Sequence, residues 1–192
     1  MHGKGGYGTA NVEPLTVDEA YQVAETFLGG LKLEDLKIAE VMVFDNNAYI
    51  RVIEESTGIN AFELLVDPVT GVVSAEPGPN IMWNLKYGAL NHQVMMESHG
   101  GMMGQFFTDT APADVSAEMP VTADQALQAA QEFLGHAKPG LTTGSDAEAF
   151  YGYYTIDILR DGKPVGMLSV NGFNSQVFVH SWHGTFLEEA DY

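Results

Sequence analysis

The feature that most constrains this chain is a pattern that occurs twice. Residues 16–29 and 122–135 share eight of fourteen positions, from Thr16 and Thr122 to Gly29 and Gly135. The shared residues are those a helix needs. Thr16 and Thr122 can cap backbone amides, and Glu19 and Gln125, three residues on, complete a capping box. Ala20, Ala24, Phe27 and Leu28 recur at helical spacing, as do Ala126, Ala130, Phe133 and Leu134. Gly29-Gly30 is expected to end the first helix, and His136 to help cap the second.

Strand-like segments follow each helix. After the first they are 38–44, 48–54, 61–66 and a short run at 72–73, separated by Asp45-Asn46-Asn47, Ser56-Thr57-Gly58 and Asp67-Pro68-Val69-Thr70-Gly71. After the second they are 153–160, 165–170 and 177–182. Leu168-Ser169-Val170-Asn171 occupies the place of Leu64-Leu65-Val66-Asp67. A period this long marks a repeated supersecondary unit. The expected fold class is α+β: two repeated units, each one helix packed on an antiparallel sheet of three to four strands. The units span 14–79 and 120–186. A Gly-rich arm (1–13), a flexible Met/His/Gly-rich linker (80–119) and an acidic tail (187–192) complete the chain.

Helix, then strands, closing on Leu64-Leu65-Val66-Asp67-Pro68-Val69-Thr70-Gly71-Val72-Val73, resembles the PepSY domain. The likeness covers about 14–76 and, less closely, 120–184, where Asn171-Gly172-Phe173-Asn174-Ser175-Gln176 replaces the Asp-to-Gly turn. With Pro79 to Gly88 and Trp182-His183-Gly184-Thr185-Phe186, the whole is similar to exported prokaryotic proteins with paired PepSY-like units. That resemblance implies an extracytoplasmic location, with a signal peptide already removed. It also implies partner binding or protease modulation, without catalytic residues.

Composition narrows the partners. Eight basic against 26 acidic residues give a net charge of −18, which repels phosphate backbones and anionic lipid, so nucleic acid is excluded. The absence of cysteine removes disulfides, thiolate zinc sites and iron–sulfur clusters. No stretch has the length and apolarity of a membrane span. Zinc-protease, nucleophile-elbow, phosphate-loop and EF-hand signatures are missing, and an enzyme is not expected. Glu54-Glu55, Glu188-Glu189 and Asp191 read as solvated surface charge.

Two segments carry ligand chemistry. Residues 91–104 hold four of the nine Met and two of the six His. Thioether and imidazole suit copper, which makes His92, Met95, Met96, His99, Met102 and Met103 candidate ligands, with His2 offering a further Cu(II) site. Packing, disorder or an adaptable partner surface are the alternatives for the same segment. The second segment is His180-Ser181-Trp182-His183. On a continuous strand, residues three apart face opposite ways, so the two His share an ion only if the strand ends between them. The aromatic run Phe150-Tyr151-Gly152-Tyr153-Tyr154 is expected to alternate across a strand, as core or as an exposed ligand platform. Two functions remain open: capture of copper or another soft metal by the linker, and self-assembly or partner binding through sheet edges.

Overall fold

The computed structural model describes residues 13–98 and 115–192. The architecture is mixed α+β, with two antiparallel sheets. In chain order the elements are α1 (Val17–Leu31), β1 (Leu36–Phe44), β2 (Ala48–Glu54), β3 (Asn60–Val66), β4 (Val73–Ala75), α2 (Pro79–Met82) and α3 (Gly88–Ser98). There follow α4 (Ala123–Ala137), β5 (Thr142–Thr143), β6 (Glu148–Ala149), β7 (Tyr153–Arg160), β8 (Lys163–Asn171), β9 (Val177–Val179) and β10 (Phe186–Asp191).

Both long helices start on the capping boxes read from the sequence, Thr16 with Glu19 and Thr122 with Gln125. The first does not stop at Gly29-Gly30. It continues to Leu31, which is buried, and Lys32 takes the left-handed position with φ 55°. Burial of Leu31 outweighs the weak helix propensity of the two glycines.

The first sheet has the order β10-β1-β2-β3-β4, and the second β5-β7-β8-β9 with β6 also on β7. Each has five strands rather than three or four. The extra strand of the first sheet is the acidic tail: 186–191 pairs antiparallel with β1, from Phe44↔Phe186 to Glu40↔Asp191. In the second sheet the additions are the two-residue strands β5 and β6.

Strand parity explains how the layers stack. On β1, Val41 and Val43 join Ala20 and Ala24 of α1 in one core. Met42 and Phe44 point the other way and pack with Tyr49 and Met167 of β8. On the second sheet Tyr154, Ile156, Leu168 and Val170 pack against Ala126, Ala130 and Leu134 of α4. The order is therefore helix, sheet, sheet, helix. The faces turned away from the helices are buried against each other, and they mix the apolar cluster of Met42, Phe44, Tyr49 and Met167 with the buried polar side chains Glu63, Thr155 and Ser169.

The segment expected to be a flexible linker is ordered over its first part. α2 and α3 cover the β3–β4 edge, and asparagines replace the missing strand partner. Asn80 Oδ1 accepts from Glu63 N (3.0 Å), and its Nδ2 donates to Glu63 O (2.8 Å) and Glu76 O (3.0 Å). Asn84 Nδ2 donates to Ala61 O (2.7 Å), and Asn91 Nδ2 to Asn80 O (2.7 Å). Buried backbone groups need such partners.

The aromatic run does not alternate, because Gly152 turns the chain at φ 111° and a Cβ there would collide with Trp83 O. Phe150, Tyr151, Tyr153 and Tyr154 are all buried, so they form no exposed platform. Glu54, read as surface charge, is buried as well.

Candidate metal centre

β4 ends at Ala75, and the next residue, Glu76, is 0% exposed. Its backbone amide still pairs with Glu63 O (3.0 Å), which fixes the direction of the side chain. β9 ends at Val179, before both histidines. The chain then crosses from the second sheet to the first, free of the strand alternation that would part His180 from His183. Both rings converge on Glu76. His183 Nε2 lies 2.9 Å and His180 Nδ1 3.4 Å from Glu76 Oε1. Ligand atoms of all three residues fall within 4.8 Å of one another, the single group of that kind among the described residues.

The remaining ring nitrogens are also engaged. His180 Nε2 is 2.8 Å from Ser169 Oγ, and His183 Nδ1 is 3.1 Å from Asn47 Oδ1. Stacking holds the rings in place, His180 on Trp182 (centroids 4.9 Å) and His183 on Phe44 (4.4 Å). Outer hydrogen bonds of this kind fix ring orientation and tautomer in metal-bound histidines.

Asn47 decides the electrostatics at His183. Its Nδ2 donates to Trp182 O (3.2 Å), so Oδ1 faces His183 and accepts from Nδ1–H. A neutral ring protonated on Nδ1 then turns the Nε2 lone pair toward a carboxylate oxygen 2.9 Å away. That contact is repulsive unless a cation, either a proton or a metal ion, lies between them.

Among the described residues, two buried side-chain polar atoms have no hydrogen-bond partner: Glu76 Oε2 and His180 Nδ1. Buried polar groups are rarely left unpaired, and both of these belong to the candidate ligands. Oε1, in contrast, accepts from Trp182 Nε1 (2.9 Å). Two ligands about 2.1 Å from a tetrahedral ion lie about 3.4 Å apart, and the 2.9 and 3.4 Å separations here are close to that. The residues present therefore fit a small divalent ion.

A second carboxylate, Glu63, is also 0% exposed. It accepts from Tyr49 (3.0 Å), Tyr153 (2.8 Å) and Thr155 (2.7 Å), which join the two sheets through it. Burial first, and the nearby charge of Glu76 second, push its carboxyl well above the usual range. For Glu76 burial acts in the same direction, but the charges of the two histidines, His180 foremost, and the hydrogen bond with His183 prevail and hold its carboxyl low. His180 is pushed up by Glu76 despite its burial. Glu76 is thus the ionised member of the pair and the better ligand.

Elsewhere between the sheets a cleft of about 380 Å³ is lined by Glu40, Asp146, Glu148, Asp157 and Asp191 around Arg51. Arg51 bridges Glu40 (3.0 Å) and Glu148 (2.8 Å).

The sequence-derived ligands lie apart from this centre. His92 and Met96 are exposed on α3, and Met95 is half-buried. His2, His99, Met102 and Met103 lie outside the described residues. Glu76 was hidden in Glu76-Pro77-Gly78-Pro79, which reads simply as a turn. The available signal was His-x-x-His with an intervening Trp, provided the strand is taken to end at Val179. Comparison with protein families, with characterised proteins and with solved structures finds no match to this chain.

Proposed function

We propose that this is a non-enzymatic binding protein that holds one divalent transition-metal ion between its sheets through Glu76, His180 and His183. The observation that carries this reading is the pair of buried, unpartnered ligand atoms, Glu76 Oε2 and His180 Nδ1, beside a histidine whose tautomer is set from outside. Two imidazoles and one carboxylate form a borderline-to-hard donor set without sulfur. It suits Zn2+ first and Cu2+ next, and suits Cu(I) poorly. Enclosure of the ligands supports retention of an ion over turnover of a substrate.

The test is a competition titration. Metal-free protein is titrated with Zn2+, and separately with Cu2+, against a chelator of known affinity. One tightly bound ion per chain, lost in the Glu76→Gln/His180→Asn double variant, supports the reading. Equal binding by the double variant refutes it.

A second reading keeps the exposed pair His92 and Met96 in view. They are four residues apart on α3 and so share a face, an arrangement suited to capture of copper at the surface. Protein interaction through sheet edges is the remaining alternative. The PepSY-like resemblance favours an extracytoplasmic setting for any of these functions. It also favours descent from a duplicated unit. Matching turns support that descent: Asp67 Oδ1 accepts from Val69 N (2.9 Å) and Thr70 N (2.8 Å), and Asn171 Oδ1 from Phe173 N (2.9 Å) and Asn174 N (3.3 Å).

A further inference from the structure

The candidate ligands occupy a mechanically distinctive place. His180 and His183 sit on the short crossing between β9, the edge of the second sheet, and β10, the edge of the first. Glu76 belongs to the opposite edge region of the first sheet, after β4. An ion bound by all three ties the crossing segment to the body of the first sheet, immediately before the chain enters β10.

We infer that the ion is a latch for the C-terminal strand: when bound it holds β10 against β1, and when it leaves, β10 detaches from the sheet edge. This inference rests on the metal reading above and adds a regulated element to it.

β10 gains from such a latch because most of its side chains are exposed and its charge is unfavourable. Leu187, Glu188, Glu189 and Asp191 are exposed, so the strand buries little apolar surface. Asp191 lies opposite Glu40 in the ladder, a like-charge pair that destabilises strand pairing. Glu189 shares the cleft with the half-buried Asp157 and disfavours its ionisation. Arg51 is the nearest cation, but Glu40 and Glu148 already hold it, and Asp191 is 3.9 Å away. The anchors of β10 itself include the ladder, the edge contact of Phe186 with Phe44, the Tyr192 ring on Tyr21, Glu188 accepting from Val17 N (3.2 Å) and the long Asp191–Arg51 ion pair (3.9 Å), all but the first two at or near the exposed surface.

The crossing segment, in contrast, is built to be gripped. Trp182 O accepts from Asn46 Nδ2 (2.8 Å), Gly184 N donates to Asn46 Oδ1 (2.7 Å) and Thr185 N to Asp45 Oδ1 (2.9 Å). The same β1–β2 turn supplies Asn47 to His183, so ligand orientation and strand docking share one support. Gly184 approaches so closely that a Cβ would collide with the Asp45 carboxylate.

Hydrogen exchange of the full chain, metal-free and saturated with Zn2+, tests the latch, with equilibrium dialysis on the same samples to count bound ions. Zn2+ is expected to slow amide exchange in 186–191 by about tenfold or more relative to α4, because local opening then requires loss of the ion. If one ion binds per chain and β10 exchange does not change, the latch is refuted and the metal reading stands. If no ion binds, both fail. A second variant checks coupling from the other side. Gly184→Ala, which displaces the crossing from Asp45, is expected to weaken Zn2+ binding by about tenfold through reciprocal coupling. Unchanged affinity in that variant, with β10 displaced, also overturns the latch.

Discussion

Two buried carboxylates in this protein have opposite fates. Glu54 is saturated: Tyr87 (2.5 Å) and Lys86 (2.6 Å) contact one oxygen, and Tyr151 (2.6 Å) and Thr57 (2.7 Å) the other. Burial alone would raise its pKa, yet these donors, Lys86 foremost, bring it down to about 2. Glu76 is as deeply buried, but one oxygen takes every contact and the other takes none. A carboxylate with both oxygens filled has no capacity for a ligand and pins the turn between α2 and α3 to the first sheet. One with an empty oxygen, on a carboxylate 3.4 Å from an equally unpartnered histidine nitrogen, retains capacity for an ion. The difference between a structural and a functional acid lies in the vacancy, not in burial or charge.

The largest effect expected from breaking this contrast is on stability at Glu54. Glu54→Gln removes the partner of a part-buried Lys86, and should destabilise the fold by about 3 kcal/mol in denaturant unfolding while leaving Zn2+ binding intact. Next comes ion-dependent stability at Glu76. Zn2+ at about 100 times its Kd should stabilise the wild-type chain by about 2.7 kcal/mol, and Glu76→Gln should abolish that increment. Loss of the increment in Glu54→Gln instead would reverse the assignment.

Smaller effects sharpen the picture. Asn47→Ala frees His183 to turn or change tautomer, so Zn2+ affinity should fall about tenfold with ring position loosened. Asp157, in the acidic cleft, is raised to about 7 by burial and by the charges of Glu40 and Glu189, against the opposing effect of Arg51. Its folded pKa lies above its unfolded value, so the protonated acid favours the fold and that contribution is lost as pH rises through about 7. Wild-type stability should drop by about 1 kcal/mol from about pH 6 to about pH 8 on this account, and Asp157→Asn should flatten that part of the profile. The smallest change is expected on α3: replacing His92, Met95 and Met96 by Ala together should leave Zn2+ binding at the buried centre within about a factor of two.

The helices and several strands were legible because their signals are local. Thr16 with Glu19 and Thr122 with Gln125 specify helix starts, and Ala48–Glu54 and Tyr153–Arg160 are bounded by clear turns. The candidate centre was not legible, because alternation reports two faces of a strand without naming what covers each. Glu63, Thr155 and Ser169 sit where a lone helix-on-sheet layer would meet water, yet in each case the facing sheet buries them. The same parity rule separated His180 from His183, and it ceased to apply where β9 stopped at Val179. Charge misled in a related way. Glu188, Glu189 and Asp191 are indeed exposed, but backbone pairing with β1 makes them a strand, which side-chain polarity does not reveal.

Crystals of the full chain grown with Zn2+ would test the central claim most directly, by anomalous scattering measured at the zinc edge. The account predicts one strong peak within coordination distance of the Glu76 carboxylate, His180 Nδ1 and His183 Nε2. A buried triad without a peak, with zinc found on surface carboxylates alone, would contradict it.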